Sequence, residues 1–215
     1  WKTDRLGSKP SSTTPLAFRT SKGELQFVSN SKSHGCYGVD SQTGKLLWES
    51  GPNTLDLRSV SSPFLADGLF FASCGAGGRG SRLVAIRPPK DSSRKPEIAY
   101  ILKKNVPYVP TALPFEDMLF LLSDGGIASC LKTATGEVLW RERLEGNYFA
   151  SPILLGGKVC IVSREGDIRM LSINKEKMHI SGLSKLGEKT YNTPALSQKS
   201  IFFRTYSTIH CLHSK

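Results

Sequence analysis

The chain has 215 residues, with 29 Lys and Arg against 18 Asp and Glu, a formal net charge of +11. That length suits one domain with a substantial core, no run of roughly eighteen uncharged apolar residues is present to cross a bilayer as a helix, and the five Cys (36, 74, 130, 160, 211) give neither an even disulfide framework nor a CxxC pair. The positive balance would draw anionic partners, but the basic residues are scattered, and Arg141 and Arg143 alternate with Glu142 and Glu145, the pattern of a solvated surface rather than a nucleic-acid arm.

Read from the N-terminus, Trp1-Lys2-Thr3-Asp4-Arg5-Leu6-Gly7 aligns with Trp140-Arg141-Glu142-Arg143-Leu144-Glu145-Gly146 and is expected to be an orphan fourth strand. Residue 1 is not Met and no export signal is visible, so the chain is expected to be a fragment or a processed product. Five repeats then follow, over residues 8–50, 58–103, 108–145, 149–186 and 190–215.

The first repeat holds TTPLAF with Pro15, the apolar run LQFVS from Leu25, the run CYGVD, and the closing phrase TGKLLWE with Gly44 and Trp48. The second holds SSPFLA with Pro63, then LFFAS, LVAIR and a degraded last strand, EIAYILK. The third opens on TALPFE, with Leu113 in place of Pro, and closes on TGEVLWRE with Gly136 and Trp140. The fourth holds ASPILL with Pro152, then VCIVS, RMLS and a degraded MHISGLSK; the fifth holds NTPALS with Pro194, IFFRT and HCLH, and stops after three strands.

Each run has strand length and is rich in β-branched or aromatic residues, and Gly in the TG turn supplies the positive φ of a tight reversal. In the third runs Gly38, Ala85, Cys130, Met170 and Cys211 form one column and Val39, Ile86, Leu131, Leu171 and Leu212 the next. Pro15, Pro63, Leu113, Pro152 and Pro194 are spaced by roughly 39 to 50 residues, the length of a four-stranded propeller blade. The fold class predicted is therefore all-β, a β-propeller of four-stranded antiparallel blades in a single domain. Two arrangements fit: a closed five-bladed ring, or the C-terminal part of a larger one.

Other motifs weaken in context. Gly75-Ala76-Gly77-Gly78-Arg79-Gly80 matches GxGxxG, but a dinucleotide site needs a helix after the glycines, and a strand, Arg82 to Ile86, follows, so a hairpin loop is expected. Four His include only His210-x-x-His213, which on a strand point to opposite faces, so no metal site is predicted. No GxSxG elbow or Ser/His/Asp set is present. All five Cys are read as small core hydrophobes. Trp1, Trp48 and Trp140 recur at one repeat position and are assigned to packing between blades rather than to ligand stacking.

The phrases YGVDSQTGKLLWE (Tyr37 to Glu49), SPILLGGKVCIVSREGDIRML (Ser151 to Leu171) and TPALSQKSIFFRTYSTIHCL (Thr193 to Leu212) resemble the pyrroloquinoline-quinone-like repeat proteins of bacteria, over nearly the entire chain. The resemblance implies an eight-bladed ring of which this chain is the C-terminal portion. It also implies one of two functions, since the family includes quinoprotein dehydrogenases, with quinone and Ca²⁺ on the ring axis, and non-enzymatic members such as the lipoprotein of the outer-membrane β-barrel assembly machinery. The dehydrogenases need converging oxygen ligands and often a vicinal Cys pair; no Cys-Cys occurs, and Asp40, Asp124, Glu165 and Asp167 sit in turns, so no converging Asp/Asn/Glu set is read from the sequence.

No catalytic, cofactor-binding or metal residues are therefore assigned, and no cofactor is expected. The function expected is a non-catalytic, monomeric binding or scaffold propeller in the periplasm or cell envelope, holding a protein or polymer at a ring face. Two alternatives stay open: a quinone-dependent dehydrogenase and a receptor for anionic polymers such as nucleic acid.

Overall fold

The computed structural model describes residues 1–5, 7, 9–89 and 95–213. Leu6 of the expected orphan strand, and Ser8 and Lys215 at the expected repeat limits, lie outside the described residues. Among the described residues there is no helix; nineteen strands form five antiparallel sheets, each built in chain order. The first sheet is β1 (Leu16–Arg19), β2 (Leu25–Ser31), β3 (Gly35–Asp40) and β4 (Leu46–Glu49); the second is β5 (Phe64–Ala66), β6 (Leu69–Ala76), β7 (Arg79–Arg87) and β8 (Glu97–Leu102). The third is β9 (Leu113–Phe115), β10 (Met118–Leu122), β11 (Ile127–Lys132) and β12 (Val138–Arg143), and the fourth is β13 (Ile153–Leu155), β14 (Lys158–Val162), β15 (Asp167–Ile173) and β16 (Met178–Lys185). The fifth has three strands, β17 (Ala195–Ser197), β18 (Ser200–Arg204) and β19 (Ile209–His213).

The fourth strands of the second and fourth sheets, degraded in sequence, are regular in the structure, with six residues in β8 and eight in β16. All four third-to-fourth pairings carry a register shift at one column, between Gly38 and Val39, Ala85 and Ile86, Cys130 and Leu131, and Met170 and Leu171. A bulge at this point adds twist and re-aims the outer strand.

The chain divides into two compact units, Trp1–Tyr108 with Thr133–Glu137, and Val109–Lys132 with Val138–Lys215. In the first unit Val28, Cys36 and Trp48 of the first sheet pack on Phe70, Ala72, Cys74, Val84 and Ile86 of the second. The strand β2 alternates, with Gln26, Val28 and Asn30 buried and Leu25, Phe27 and Ser29 half-buried, so one face of this sheet makes the core.

In the second unit Phe120, Leu122 and Trp140 of the third sheet meet Val159, Ile161 and Leu171 of the fourth. The other face of the fourth sheet places Cys160, Val162 and Ile168 against Ile201 and Phe203 of the fifth. Burial on both faces explains why VCIV is continuously apolar. Each such side chain contributes about 1.5–3 kcal/mol on removal from water.

The small polar residue before each Pro links neighbouring sheets. The Thr14 N–H donates to Ser62 Oγ at 3.0 Å, Thr111 N–H to Ser151 Oγ at 2.9 Å, and Ser151 N–H to Thr193 Oγ1 at 2.9 Å. The Pro that follows stands immediately before the first strand of its sheet, at Pro15, Pro63, Pro152 and Pro194, where no ladder N–H is required. Pro63, Pro152 and Pro194 are buried, whereas Pro15 is exposed.

The N-terminal segment departs from expectation. Residues 1–5 form no strand; they run across the first sheet, where Trp1 Nε1 donates to Ser41 O at 3.0 Å, Thr3 Oγ1 to Gly44 O at 2.9 Å and Arg5 Nη2 to Glu49 Oε2 at 3.0 Å. Side-chain anchoring to the β3–β4 turn replaces the ladder that the alignment with Trp140–Gly146 led us to expect. Trp1 is 64% exposed, so it lies on a surface rather than in a core.

A candidate protein-binding surface at the turns of the second unit

A cluster of partly exposed aromatic and cationic groups in the second unit comes from four separate connections. Phe149 lies between β12 and β13, Arg164 in the β14–β15 turn, Tyr191 between β16 and β17, and Tyr206 in the β18–β19 turn. Main-chain bonds fix the arginine, whose N–H donates to Asn147 O at 2.7 Å and whose C=O accepts from Thr190 N–H at 3.0 Å. Its guanidinium sits 4.7 Å from the Phe149 centroid and 4.9 Å from that of Tyr191, and Nη2 donates to the Tyr191 hydroxyl at 2.9 Å.

The rings form a continuous surface. Phe149 and Tyr191 are 5.4 Å apart and Tyr191 and Tyr206 5.6 Å apart. A hydrogen bond with the Tyr206 hydroxyl, together with the one from Arg164, holds the Tyr191 phenol below its ordinary pKa, and the same bond with Tyr191 pushes the Tyr206 phenol above its own. Tyr206 is 64% exposed, and Arg164 Nε is buried without a hydrogen-bond partner. Stacked guanidinium and phenol groups that already gave up conformational freedom present area to a partner at low entropic cost.

Candidate residues read from the sequence fall elsewhere. Trp48 packs at 5.4 Å from Phe70 and donates through Nε1 to Gln26 Oε1 at 3.0 Å, and Trp140 donates to Asn174 O at 2.7 Å. Gly44 and Gly136 have φ of +71° and +73° in their turns. The Asp40 carboxylate tightens the first of these turns by accepting from the N–H groups of Gln42 and Thr43 and from Thr43 Oγ1.

The Gly75–Gly80 stretch is a β6–β7 hairpin with no helix after it. Gly77 and Gly78 take φ of +59° and +71°, while Gly75 and Gly80 admit the close approach of Tyr108 and Val106. His210 and His213 do not converge, and His213 Nδ1 pairs instead with Ser200 Oγ at 2.9 Å.

Four Cys are buried as expected, but Cys211 is exposed, because β19 is the outer strand of its sheet. Burial pushes the Cys36 thiol up to about 12 and those of Cys74, Cys130 and Cys160 up to about 11.

A quinone with Ca²⁺ needs a converging set of roughly six to eight oxygens. Among the described residues no three His, Cys, Asp or Glu gather. The carboxylates are committed separately: Asp56 accepts from Ser81 Oγ and pairs with Arg82, Asp117 pairs with Lys175 at 2.6 Å, and Glu188 accepts from Ser207 N–H and Oγ. These carboxylates do not converge on one point among the described residues. No helix among them is long and apolar enough to cross a membrane.

Comparison with known proteins agrees with the repeat architecture. The family model described as "Outer membrane protein assembly factor BamB" matches residues 107–181. The solved structure of BamB from Moraxella catarrhalis superposes with a TM-score of 0.65 at 15% identity, covering 93% of this chain and 61% of that one. The β-propeller domain of Cps50 (Swd1) from Myceliophteria thermophila superposes with a TM-score of 0.62 at 14% identity, covering 97% and 71%. The chain thus spans about three-fifths of the length of the BamB structure. No curated protein matches it by sequence.

Proposed function

We propose that this chain, a β-propeller of the pyrroloquinoline-quinone-like repeat family, is a non-catalytic, monomeric scaffold in the bacterial cell envelope that holds a protein partner against the turns carrying Arg164 and Tyr206. The observation that carries this reading is the stack itself: an exposed Tyr206 continuous with a guanidinium held between Phe149 and Tyr191. Tyr and Arg dominate the energetics of protein interfaces, where each supplies broad contact and a directed hydrogen bond. The separately committed carboxylates support a binding role over a redox one, and the likeness to BamB supports the envelope.

The test is photo-crosslinking in cells, with a benzophenone side chain replacing Tyr206 or, at the opposite turns of the same unit, Glu176. A discrete protein adduct from position 206 and none from position 176 is expected. Equal labelling at both positions, or none at 206, overturns the reading.

One observation favours a second compartment for the same scaffold. Five unpaired thiols, one of them exposed at Cys211, suit a reducing environment better than an oxidising one. Trapping the thiols in intact cells separates the two: a free Cys211 supports an intracellular scaffold, and a disulfide-linked or oxidised one supports the envelope.

A further inference from the structure

Three of the fourth strands set an aromatic ring at the bulge column: Trp48 opposite Gly38, Tyr100 opposite Ala85 and Trp140 opposite Cys130. Two of these rings use their polar atom alike. The Tyr100 hydroxyl donates to Thr133 O at 2.6 Å and Trp140 Nε1 to Asn174 O at 2.7 Å, and each acceptor is the first residue after the third strand of the following sheet. Trp48 departs from the pattern. Its Nε1 turns to Gln26 Oε1 of its own sheet at 3.0 Å, and the residue standing where Thr133 and Asn174 stand is Pro88, just after β7.

That change goes with a cavity of about 450 Å³ in the first unit, walled by Phe18, Gln26, Trp48, Pro88 and Pro89, with the exposed Ser21, Lys22 and Glu24 on its rim. Gln26 is only 8% exposed. An indole N–H can only donate, so Trp48 fixes the oxygen of the Gln26 amide and leaves Nε2 to the cavity, with no acceptor among the described residues. The Pro88 carbonyl likewise accepts no hydrogen bond among them. Each unpaired buried group costs about 1–3 kcal/mol, so a fitting occupant brings one acceptor and one donor between apolar walls. A secondary amide does both.

We infer that this cavity binds an N-acetylated amino sugar through its acetamido group. The acetamido C=O accepts from Gln26 Nε2, its N–H donates to the Pro88 carbonyl in place of the aromatic donor found at Thr133 and Asn174, and its methyl lies against Phe18 and Pro89. The sugar hydroxyls then meet Ser21, Lys22 and Glu24, the polar partners that a sugar ring requires at the rim. The volume suits a ligand of that size. None of these residues belongs to the turns bearing Tyr206, and the inference stands whether or not those turns bind a protein.

The probe is N-acetylglucosamine, titrated into the ¹⁵N-labelled full chain and followed at the indole N–H resonances of its three Trp, which Trp1→Phe and Trp140→Phe assign. A saturable shift of the Trp48 resonance is expected, with that of Trp140 unmoved. Glucose, which lacks the amide, and N-acetylglycinamide, which lacks the ring hydroxyls, are each expected to bind roughly fivefold more weakly or worse. Gln26→Leu removes the donor at nearly constant volume and is expected to weaken binding about tenfold; the comparison of the three ligands on the native chain does not depend on that variant folding. No saturable shift at Trp48, glucose or N-acetylglycinamide binding as tightly as the amino sugar, or unchanged affinity in a folded Gln26→Leu variant overturns the inference.

Discussion

The ring of Tyr100 fills the space that a side chain at Gly136 would need: a Cβ there would stand 2.6 Å from Cδ2 and Cε2, at a φ of +73°. The Tyr100 hydroxyl completes the contact by donating to Thr133 O in the same turn at 2.6 Å. Trp1 repeats the arrangement on the first sheet, with its ring over Gly44 and its Nε1 donating to Ser41 O. The glycine of the TG turn is therefore required twice, by its backbone conformation and by the aromatic ring laid on it.

Gly136→Ala is accordingly expected to destabilise the protein by about 2–4 kcal/mol, combining positive-φ strain with overlap on Tyr100. Gly23→Ala, at a φ of +84° with nothing within 4 Å, is expected to cost only about 1 kcal/mol. Urea unfolding of the two variants checks the difference, and equal losses would contradict the account of the turn.

Thr193→Val removes the hydroxyl that accepts the Ser151 N–H while keeping side-chain volume. Because this bond is exposed and water takes the place of the lost acceptor, a loss of less than about 0.5 kcal/mol is expected. The same experiment at Thr3, whose hydroxyl donates to the C=O of the buried Gly44, is expected to cost about 1 kcal/mol.

Thiol reactivity follows from burial. With four thiols buried and shifted to about 11 or 12, and Cys211 exposed, a disulfide reagent at about pH 8 is expected to label Cys211 alone in the native protein and all five in denaturant. Rapid labelling of Cys36 in the folded state would contradict the packing described here.

The same shifts predict alkaline behaviour. A thiol whose ordinary value is 9.0 and whose folded value is about 11 to 12 stays protonated longer in the folded state, so unfolding releases a proton in between. Stability is thus intact below about pH 9 and falls as pH rises through the folded values. Replacing Cys160 with Ala is expected to flatten this decline, as measured by thermal unfolding between about pH 8 and 11.

Much of the fold was legible because the repeats advertise themselves through short apolar strand runs, Pro before the first strand of four of the five, and glycine turns. The outer strands β8 and β16 were less so: they lack the Trp of β4 and β12 and are largely exposed, which leaves little apolar pattern to read. Alignment of Trp1 with Trp140 located a ring that sits on a TG turn as Tyr100 does, but it carried no information on ladder pairing. The arginine stack left no local motif at all, because Phe149, Arg164, Tyr191 and Tyr206 come from four connections and meet only when the strands between them are paired. The same holds for the hydroxyls of Ser62, Ser151 and Thr193, whose recurrence before Pro was visible while their acceptor role was not.

Binding at the Tyr206 surface is tested most directly by titrating the partner captured there, once purified, against the native chain and the Arg164→Ala, Tyr206→Ala double variant. The account predicts at least a tenfold loss of affinity in a variant that still folds, with stability lowered by no more than about 1–2 kcal/mol, and only weak dependence on salt, since the contacts are aromatic and hydrogen-bonded rather than a field of charge. Unaltered affinity in the double variant, or binding that collapses with moderate salt in the native chain, would contradict it.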